Sequence, residues 1–168
     1  MQLTSESIDT HIRKLLREGQ LRDWLPRLRP HEACKRRLLV TPPVGDWIER
    51  RGKDEDEREF YANVRAFLKS FIIGEDFDDI VKLKPMKVDQ GGIWFLRITW
   101  HPQHRILGGF LVPGVFVATV YRDRRQIGEN FVPHLARARN IWCKLFPHWP
   151  PVTGTSRADL LEFCHEEI

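Results

Sequence analysis

Three consecutive apolar stretches of strand length constrain the fold of this chain more than any other feature. They span residues 93–101, 105–112 and 115–122, and two short connections separate them, His101-Pro102-Gln103-His104 and Pro113-Gly114. Proline, glycine and short polar connections of this kind are typical of turns between neighbouring strands. The sequence therefore predicts three strands that pair antiparallel in the second half of the chain.

Helical periodicity flanks these strands. Apolar residues recur at helix spacing over residues 5–29 and 55–73, and a final helix is predicted to begin near Pro133 and to stop at Pro147. A short strand at 37–41 and a short helix around 46–50 complete the order α-β-α-α-β-β-β-α. The predicted fold class is α+β, with a small antiparallel sheet packed against helices and an N-terminal helical extension.

Size and composition fit a single domain that needs no disulfides. The chain has 168 residues, of which 42% are hydrophobic, and its cysteines, Cys34, Cys143 and Cys164, are odd in number and form no Cys-x-x-Cys pair. The first ten residues are polar, and no run approaches the ~20 apolar residues of a membrane span. We expect a soluble cytoplasmic protein that has no membrane partner and no cofactor.

Positive charge is concentrated in one segment. The whole chain carries a formal net charge of +4, whereas residues 92–144 contain eight basic and two acidic side chains, a local net charge of +6. A segment of this kind favours acidic partners. Its basic residues are Arg97, Arg105, Arg122, Arg124, Arg125, Arg137, Arg139 and Lys144.

Strand periodicity predicts where three of these arginines meet. The apolar residues stay on one face only if Trp100 pairs with Ile106 and Leu96 with Phe110, a register that places Arg97, His101 and Arg105 together on the other face. If Pro113-Gly114 is a two-residue turn, Arg105 comes opposite Arg122. Like charges directly opposed in a sheet are destabilising, so their convergence suggests an anion between them.

Two features leave this register open. Pro-Gly favours a type II turn, which matches the twist of a hairpin poorly. Gly108-Gly109 is a possible site for a β-bulge, which would shift the pairing.

The order of the motifs resembles the RelE/ParE-type toxin superfamily, and most closely its HigB-like, phage-derived branch. The family pattern is a W-x-L-R strand, an R-I strand, an apolar strand ending in basic residues, and a helix that opens with proline and carries A-x-x-R. The matching segments are Leu83-Lys84-Pro85-Met86, Gly92-Ile93-Trp94-Phe95-Leu96-Arg97-Ile98, His104-Arg105-Ile106, Phe116-Val117-Ala118-Thr119, Arg122 to Arg125, and Pro133-His134-Leu135-Ala136-Arg137-Ala138-Arg139.

The resemblance covers residues 37–147 and implies a division of the chain into a helical extension (1–36), a RelE/HigB-like domain (37–147) and a C-terminal tail (148–168). It implies a type II toxin that cleaves mRNA at the ribosome and is neutralised by a cognate antitoxin protein. The alternative is a non-catalytic relative that binds a protein or nucleic-acid partner, either a gyrase-type poison or an inactive prophage protein. The extension either covers the sheet as a built-in inhibitor or docks a partner.

The candidate catalytic residues are Arg97, Arg105, Arg122, His101 and His104. Guanidinium groups stay charged and bind phosphate with two hydrogen bonds, and a histidine beside them can transfer a proton to or from an RNA ribose or leaving group. The alternative interpretation is an ion-paired sheet face with exposed loop histidines. His101-x-x-His104 lacks a third and a fourth ligand, so we expect no metal site.

Further basic residues are candidates for nucleic-acid binding without chemistry. Contacts of this kind to phosphates carry no sequence information and make binding depend strongly on salt. The candidates are Arg124, Arg125, His134, Arg137 and Arg139.

Overall fold

The computed structural model describes residues 7–79, 81–86 and 91–163. Its helices are α1 (Ile8–Arg17), α2 (Pro42–Ile48), α3 (Glu55–Ile72), α4 (Arg124–Ile127), α5 (Val132–Leu145) and α6 (Arg157–Leu160). Its strands are β1 (Arg22–Asp23), β2 (Arg37–Val40), β3 (Leu83–Pro85), β4 (Ile93–Ile98), β5 (His104–Val112) and β6 (Val115–Asp123).

The described strands form one mixed sheet in the order β1-β2-β6-β5-β4-β3. The predicted α+β class is confirmed, whereas the prediction of a purely antiparallel sheet is wrong, because β2 pairs parallel to β6. A parallel pair needs a long crossover connection between its strands. Here the chain between β2 and β6 passes through α2 and α3 before it forms the strands β3 to β5.

Helices cover both faces of the sheet. On the face that we call the α2/α3 face, Trp47 and Val64 pack with sheet residues such as Ile106. On the opposite face, the α1/α5 face, Leu15 and Trp142 pack with the strands that include Leu39, Leu107 and Val120. Both faces of the central strands are therefore apolar. This explains why polar and apolar residues do not alternate along most of β5.

The acidic run at residues 54–57 has a local structural role. The Asp54 side chain accepts a hydrogen bond from the backbone N–H of Glu57 at 2.9 Å and caps α3, and Glu55, Asp56 and Glu57 occupy its first turn. Negative charge near a helix N-terminus is favoured by the helix dipole. The acidic run therefore caps α3 and places negative charge at its N-terminus.

The helix predicted over residues 5–29 is wrong beyond Arg17, and residues 1–6 lie outside the described part of the chain. After α1 the chain turns at Gly19, whose φ is +70°, and β1 then pairs antiparallel with β2. Leu21 and Trp24 are buried, whereas Leu25, predicted on the same helix side, is 68% exposed. The N-terminal segment therefore shares the core of the domain.

The segment after α5 also packs on the domain. The N–H of Val152 donates to the carbonyl of Phe110 at 2.8 Å, and the N–H of Gly114 donates to that of Leu160 at 2.9 Å. Leu160 and Leu161 are buried. The predicted C-terminal tail is thus packed on the domain as far as Leu161.

The structure bears on two expectations from composition. Among the described residues, none of the helices combines the length and apolarity needed to cross a membrane. Cys34 and Cys143 are exposed free thiols, and Cys164 lies outside the described residues.

The register differs from the prediction between β4 and β5. Leu96 pairs with Ile106 instead of Phe110, because β4 ends at Ile98 and the connection to β5 is longer than predicted. A shift of four residues is even, so every side chain keeps its predicted face. Arg97 consequently still lies on the same side as Arg105.

Between β5 and β6 the predicted ends are confirmed. Val112 pairs with Val115, and Arg105 with Arg122. The register shifts between Leu107 and Gly108 and again between Phe110 and Val112, so the bulge expected at Gly108-Gly109 is present. The two shifts cancel. Arg105 therefore pairs with Arg122, as it would if the two strands contained no bulge.

Candidate functional site

Three arginines lie side by side across β4, β5 and β6. Arg97 pairs with Arg105, and Arg105 pairs with Arg122. They share the α1/α5 face, since Phe95 and Val120, two positions away on the outer strands, both pack in its core. We call Arg97, Arg105 and Arg122 the arginine row.

Arg105, the centre of the arginine row, is only 5% exposed. Its Nη1 donates to the carbonyls of Ile98 at 3.2 Å and His104 at 2.9 Å, and its guanidinium lies 5.9 Å from the centre of the Phe95 ring. Burial lowers the pKa of Arg105 to about 10, with a smaller effect from the positive charges of Arg97 and Arg124. The side chain is therefore held charged at an electrostatic cost to the folded state.

Arg122 connects the arginine row to α5. Its Nε donates to Nδ1 of His134 at 3.2 Å, and its Nη1 donates to the Tyr121 carbonyl at 2.7 Å. Because Nδ1 of His134 accepts this bond, the neutral ring carries its proton on Nε2. Burial lowers the pKa of Arg122, and the neighbouring charge of Arg137 lowers it further.

Two members of the arginine row, Arg105 and Arg122, are without a carboxylate partner among the described residues. Among the described residues, no carboxylate lies within salt-bridge distance of Arg105 or Arg122. Asp123, the nearest acid in sequence, caps α4 and pairs with Arg125 at 3.3 Å. The ion-paired interpretation of this sheet face therefore does not fit Arg105 and Arg122.

Some of the other predicted basic residues join the arginine row. Arg124 lies close enough to affect the pKa of Arg105 and stacks 5.8 Å from the centre of the Phe131 ring, and Arg137 affects Arg122 in the same way. Arg125 is exposed and paired with Asp123. Arg139 is exposed two positions after Arg137, and residues two apart on a helix do not face the same side.

The structure separates His101 and His104 from the arginine row. His104 is an even-numbered residue of β5 and lies on the α2/α3 face, buried between the rings of Trp47 and Phe60 at 5.0 and 5.3 Å. His101 is exposed in the connection after β4, where strand alternation no longer applies. Both line a cavity of about 540 Å³ together with Asp56 and other residues of α3.

His104 is held in its neutral form. Its Nδ1 lies 2.8 Å from the carbonyl oxygen of Pro102, to which a neutral ring donates. Burial lowers the pKa of His104 below its ordinary value of 6.5, although this hydrogen bond and Asp123 act in the opposite direction. The contacts identify His104 as a core histidine.

We expect acidification to destabilise the protein through His104. The unfolded chain takes up a proton near pH 6.5, whereas the folded protein does so only at lower pH, so stability falls as the pH drops below 6.5. Melting temperatures measured between pH 7.5 and 5.0 should decrease more steeply for the wild type than for His104→Asn, whose amide can also donate to Pro102. Parallel pH profiles would show that His104 titrates normally.

Sequence reasoning missed two features of the site. The contact of His134 with Arg122 depends on how α5 folds back over β6, and no local spacing signals it. Lys144 was counted only as charge, although it lies seven residues after Arg137 and hence on the same side of α5. Arg137 and Lys144 both line the cavity that Arg122 also lines.

The described residues contain no group of three or more histidine, cysteine, aspartate or glutamate side chains able to hold a metal ion. No protein-family model matches the chain, and no curated protein or solved structure matches it either.

Proposed function

We propose that the protein is a type II toxin, a RelE/HigB-like endoribonuclease that binds mRNA at the ribosome through the arginine row and is neutralised by a cognate antitoxin protein. The observation that carries the proposal is the pairing of three arginines across three neighbouring strands, with no carboxylate partner for Arg105 or Arg122 in the described structure. The motif order that resembles this superfamily supports the choice of RNA as the anion.

Cleavage without a metal follows from the chemistry of RNA. The ribose 2′-oxygen attacks the adjacent phosphorus, the bond from phosphorus to the 5′-oxygen breaks, and a 2′,3′-cyclic phosphate and a 5′-hydroxyl result. Water takes the 2′-hydroxyl proton, and water also supplies the proton that the departing 5′-oxygen takes up. Guanidinium groups held beside the phosphate stabilise the negative charge that develops on it in the transition state.

His134 is the imidazole nearest to the arginine row. Since its Nδ1 accepts from Arg122, the neutral ring keeps Nε2–H free to donate a hydrogen bond to an oxygen that gains negative charge in the transition state. His101 and His104 have no part in this proposal, because they lie on the α2/α3 side of the sheet.

A second candidate is a non-catalytic relative that binds a nucleic-acid or protein partner with the same surface. The separation of His101 and His104 from the arginine row favours it, since the row then lacks an acid/base pair. In this case RNA binding persists without cleavage.

Inducible expression in bacteria tests the proposal. The wild type is expected to arrest growth and to create new transcript 5′ ends, while an Arg97→Ala, Arg105→Ala double variant does neither. His134→Ala should reduce cleavage at least tenfold while purified protein keeps its RNA affinity, because it removes a hydrogen-bond donor to the oxygen that gains charge. Arg13→Ala, a charge removal on the exposed side of α1, serves as the control and should behave like the wild type.

Wild-type expression that leaves growth and transcript 5′ ends unchanged would refute the nuclease. If the purified wild type nevertheless binds RNA and the double variant does not, the non-catalytic candidate stands instead.

A further inference from the structure

A cavity of about 400 Å³ lies beside the arginine row, between α5 and the junction of β2 with α2. The parallel pairing of β2 with β6 ends at Ala118, and the chain leaves the sheet at Thr41, whose hydroxyl donates to the Thr119 carbonyl at 3.1 Å. Beyond this point, the edge of β6 that had paired with β2 has no strand of the described chain beside it, and an open space separates it from α5.

The walls of this cavity are mainly apolar. Val44 of α2 and Val120 of β6 lie on one side, and Ile141 and Leu145 of α5 lie on the other. The polar members of the lining include Gln20, Thr41 and Thr119, and none of the described lining residues is acidic. A flat apolar group fits such a space better than a charged one does.

Three positive side chains line the same cavity. They are Arg122 on β6 and Arg137 and Lys144 on α5. Arg137 and Lys144 are exposed, so their charges meet solvent at the cavity. An apolar space bordered by three cations matches a ligand with a flat apolar body and phosphate groups beside it.

Arg122 belongs both to the arginine row and to this cavity. A phosphate bound on the row is therefore adjacent to the cavity, and a group covalently attached to that phosphate can enter it. In single-stranded RNA the attached group is a nucleoside, whose base is available once it is unstacked.

We propose that this cavity binds a nucleobase of the RNA whose phosphate lies on the arginine row. The inference rests on the proposed RNA-binding function and adds that the protein distinguishes base-bearing RNA from a bare ribose-phosphate chain. Apolar walls receive the faces of the base, while Arg137 and Lys144 contact the phosphates on either side of it.

Fluorescence anisotropy with two probes tests the inference. One probe is a short single-stranded RNA, and the other has the same ribose-phosphate backbone with abasic positions. The wild type is expected to bind the first roughly tenfold more tightly, the size of the contribution of one well-stacked base. Both affinities should fall with salt, because phosphate contacts are common to both probes.

Two substitutions fill the cavity from opposite walls. Ile141→Trp does so from α5, and Pro43→Trp does so from an exposed position at the start of α2. Each should remove the preference for base-bearing RNA and leave the affinity for the abasic probe unchanged. Ala136→Trp, on α5 but outside this cavity, should keep the preference.

The outcomes separate the two proposals. Equal binding of both probes by the wild type, or a wild-type preference retained in a folded Pro43→Trp variant, overturns the nucleobase site and leaves RNA binding intact. Failure of the wild type to bind either probe overturns the proposed function and this inference together. Thermal melting establishes that each variant is folded, and Pro43→Trp decides the result if Ile141→Trp unfolds.

Discussion

Gly108→Ala is expected to lower the free energy of unfolding by about 3 kcal/mol, as overpacking against rigid neighbours does at its most severe. A Cβ at this position would lie 2.0 Å from the carbonyl oxygen of Val117 and 2.9 Å from its carbon. Both atoms belong to the backbone of β6, beside the register shift between Leu107 and Gly108. The two strands can make room only by separating at the centre of the sheet.

Urea unfolding of the two proteins measures this loss. Gly19→Ala provides a control, because its Cβ would meet nothing within 4 Å and only its positive φ of +70° is strained, at a cost of about 1 kcal/mol. If Gly108→Ala lowers the free energy of unfolding no more than Gly19→Ala does, β5 and β6 do not approach each other closely at the bulge.

Arg105→Met is expected to stabilise the fold and to weaken RNA binding. Arg105 is buried between two like-charged cross-strand neighbours, Arg97 and Arg122, and replacing buried charge with an apolar side chain of similar volume is often stabilising. Against this gain stands the loss of two hydrogen bonds to carbonyls. We expect a net gain of about 1 kcal/mol and roughly tenfold weaker binding of single-stranded RNA.

Arg65→Met is the matched control for this prediction. The Arg65 side chain also donates to two backbone carbonyls, those of Ile48 and Arg50, both at 3.0 Å, but it lies on α3 on the other side of the sheet. Its replacement should destabilise the protein and leave RNA affinity unchanged. If Arg105→Met destabilises as much as Arg65→Met and binds RNA as the wild type does, the arginine row is a structural feature only.

The convergence of the arginines could be predicted because it depends only on whether each residue holds an odd or an even position along its strand. Side chains alternate along a strand, so the error of four residues in the β4–β5 register left Arg97 on the correct face. The short Pro113-Gly114 connection brought Arg105 opposite Arg122, and two cancelling shifts preserved that pairing. The local sequence pattern was sufficient to predict which residues share a face wherever two strands are consecutive and their connection is short.

The histidines could not be placed by the same reasoning. His101 follows the end of β4, beyond which alternation has no meaning, and His104 is adjacent to Arg105 in sequence and therefore opposite to it in space. The contact of His134 with Arg122 joins a helix to a strand across tertiary structure. Hydrophobic periodicity carries no information about such contacts.

The role of the N-terminal segment also depended on tertiary structure. Ile12 and Leu15 of α1 are buried against α5, and His11 Nε2 lies 2.6 Å from the Leu145 carbonyl oxygen. A built-in inhibitor that could detach from the sheet would not contribute buried side chains to the core of the domain in this way. Removal of this segment exposes apolar surface on both α5 and β2 and so lowers the stability of the fold. The amphipathic pattern of the sequence alone did not reveal this dependence.

We propose above that an RNA phosphate binds at the arginine row. Nuclear magnetic resonance of the arginine Nε–Hε groups, recorded while short single-stranded RNA is added, tests this claim most directly. Chemical-shift changes are expected at Arg105 and Arg122, with Arg65 unaffected. Changes confined to arginines outside the row, or no change at RNA concentrations that saturate binding, would contradict it.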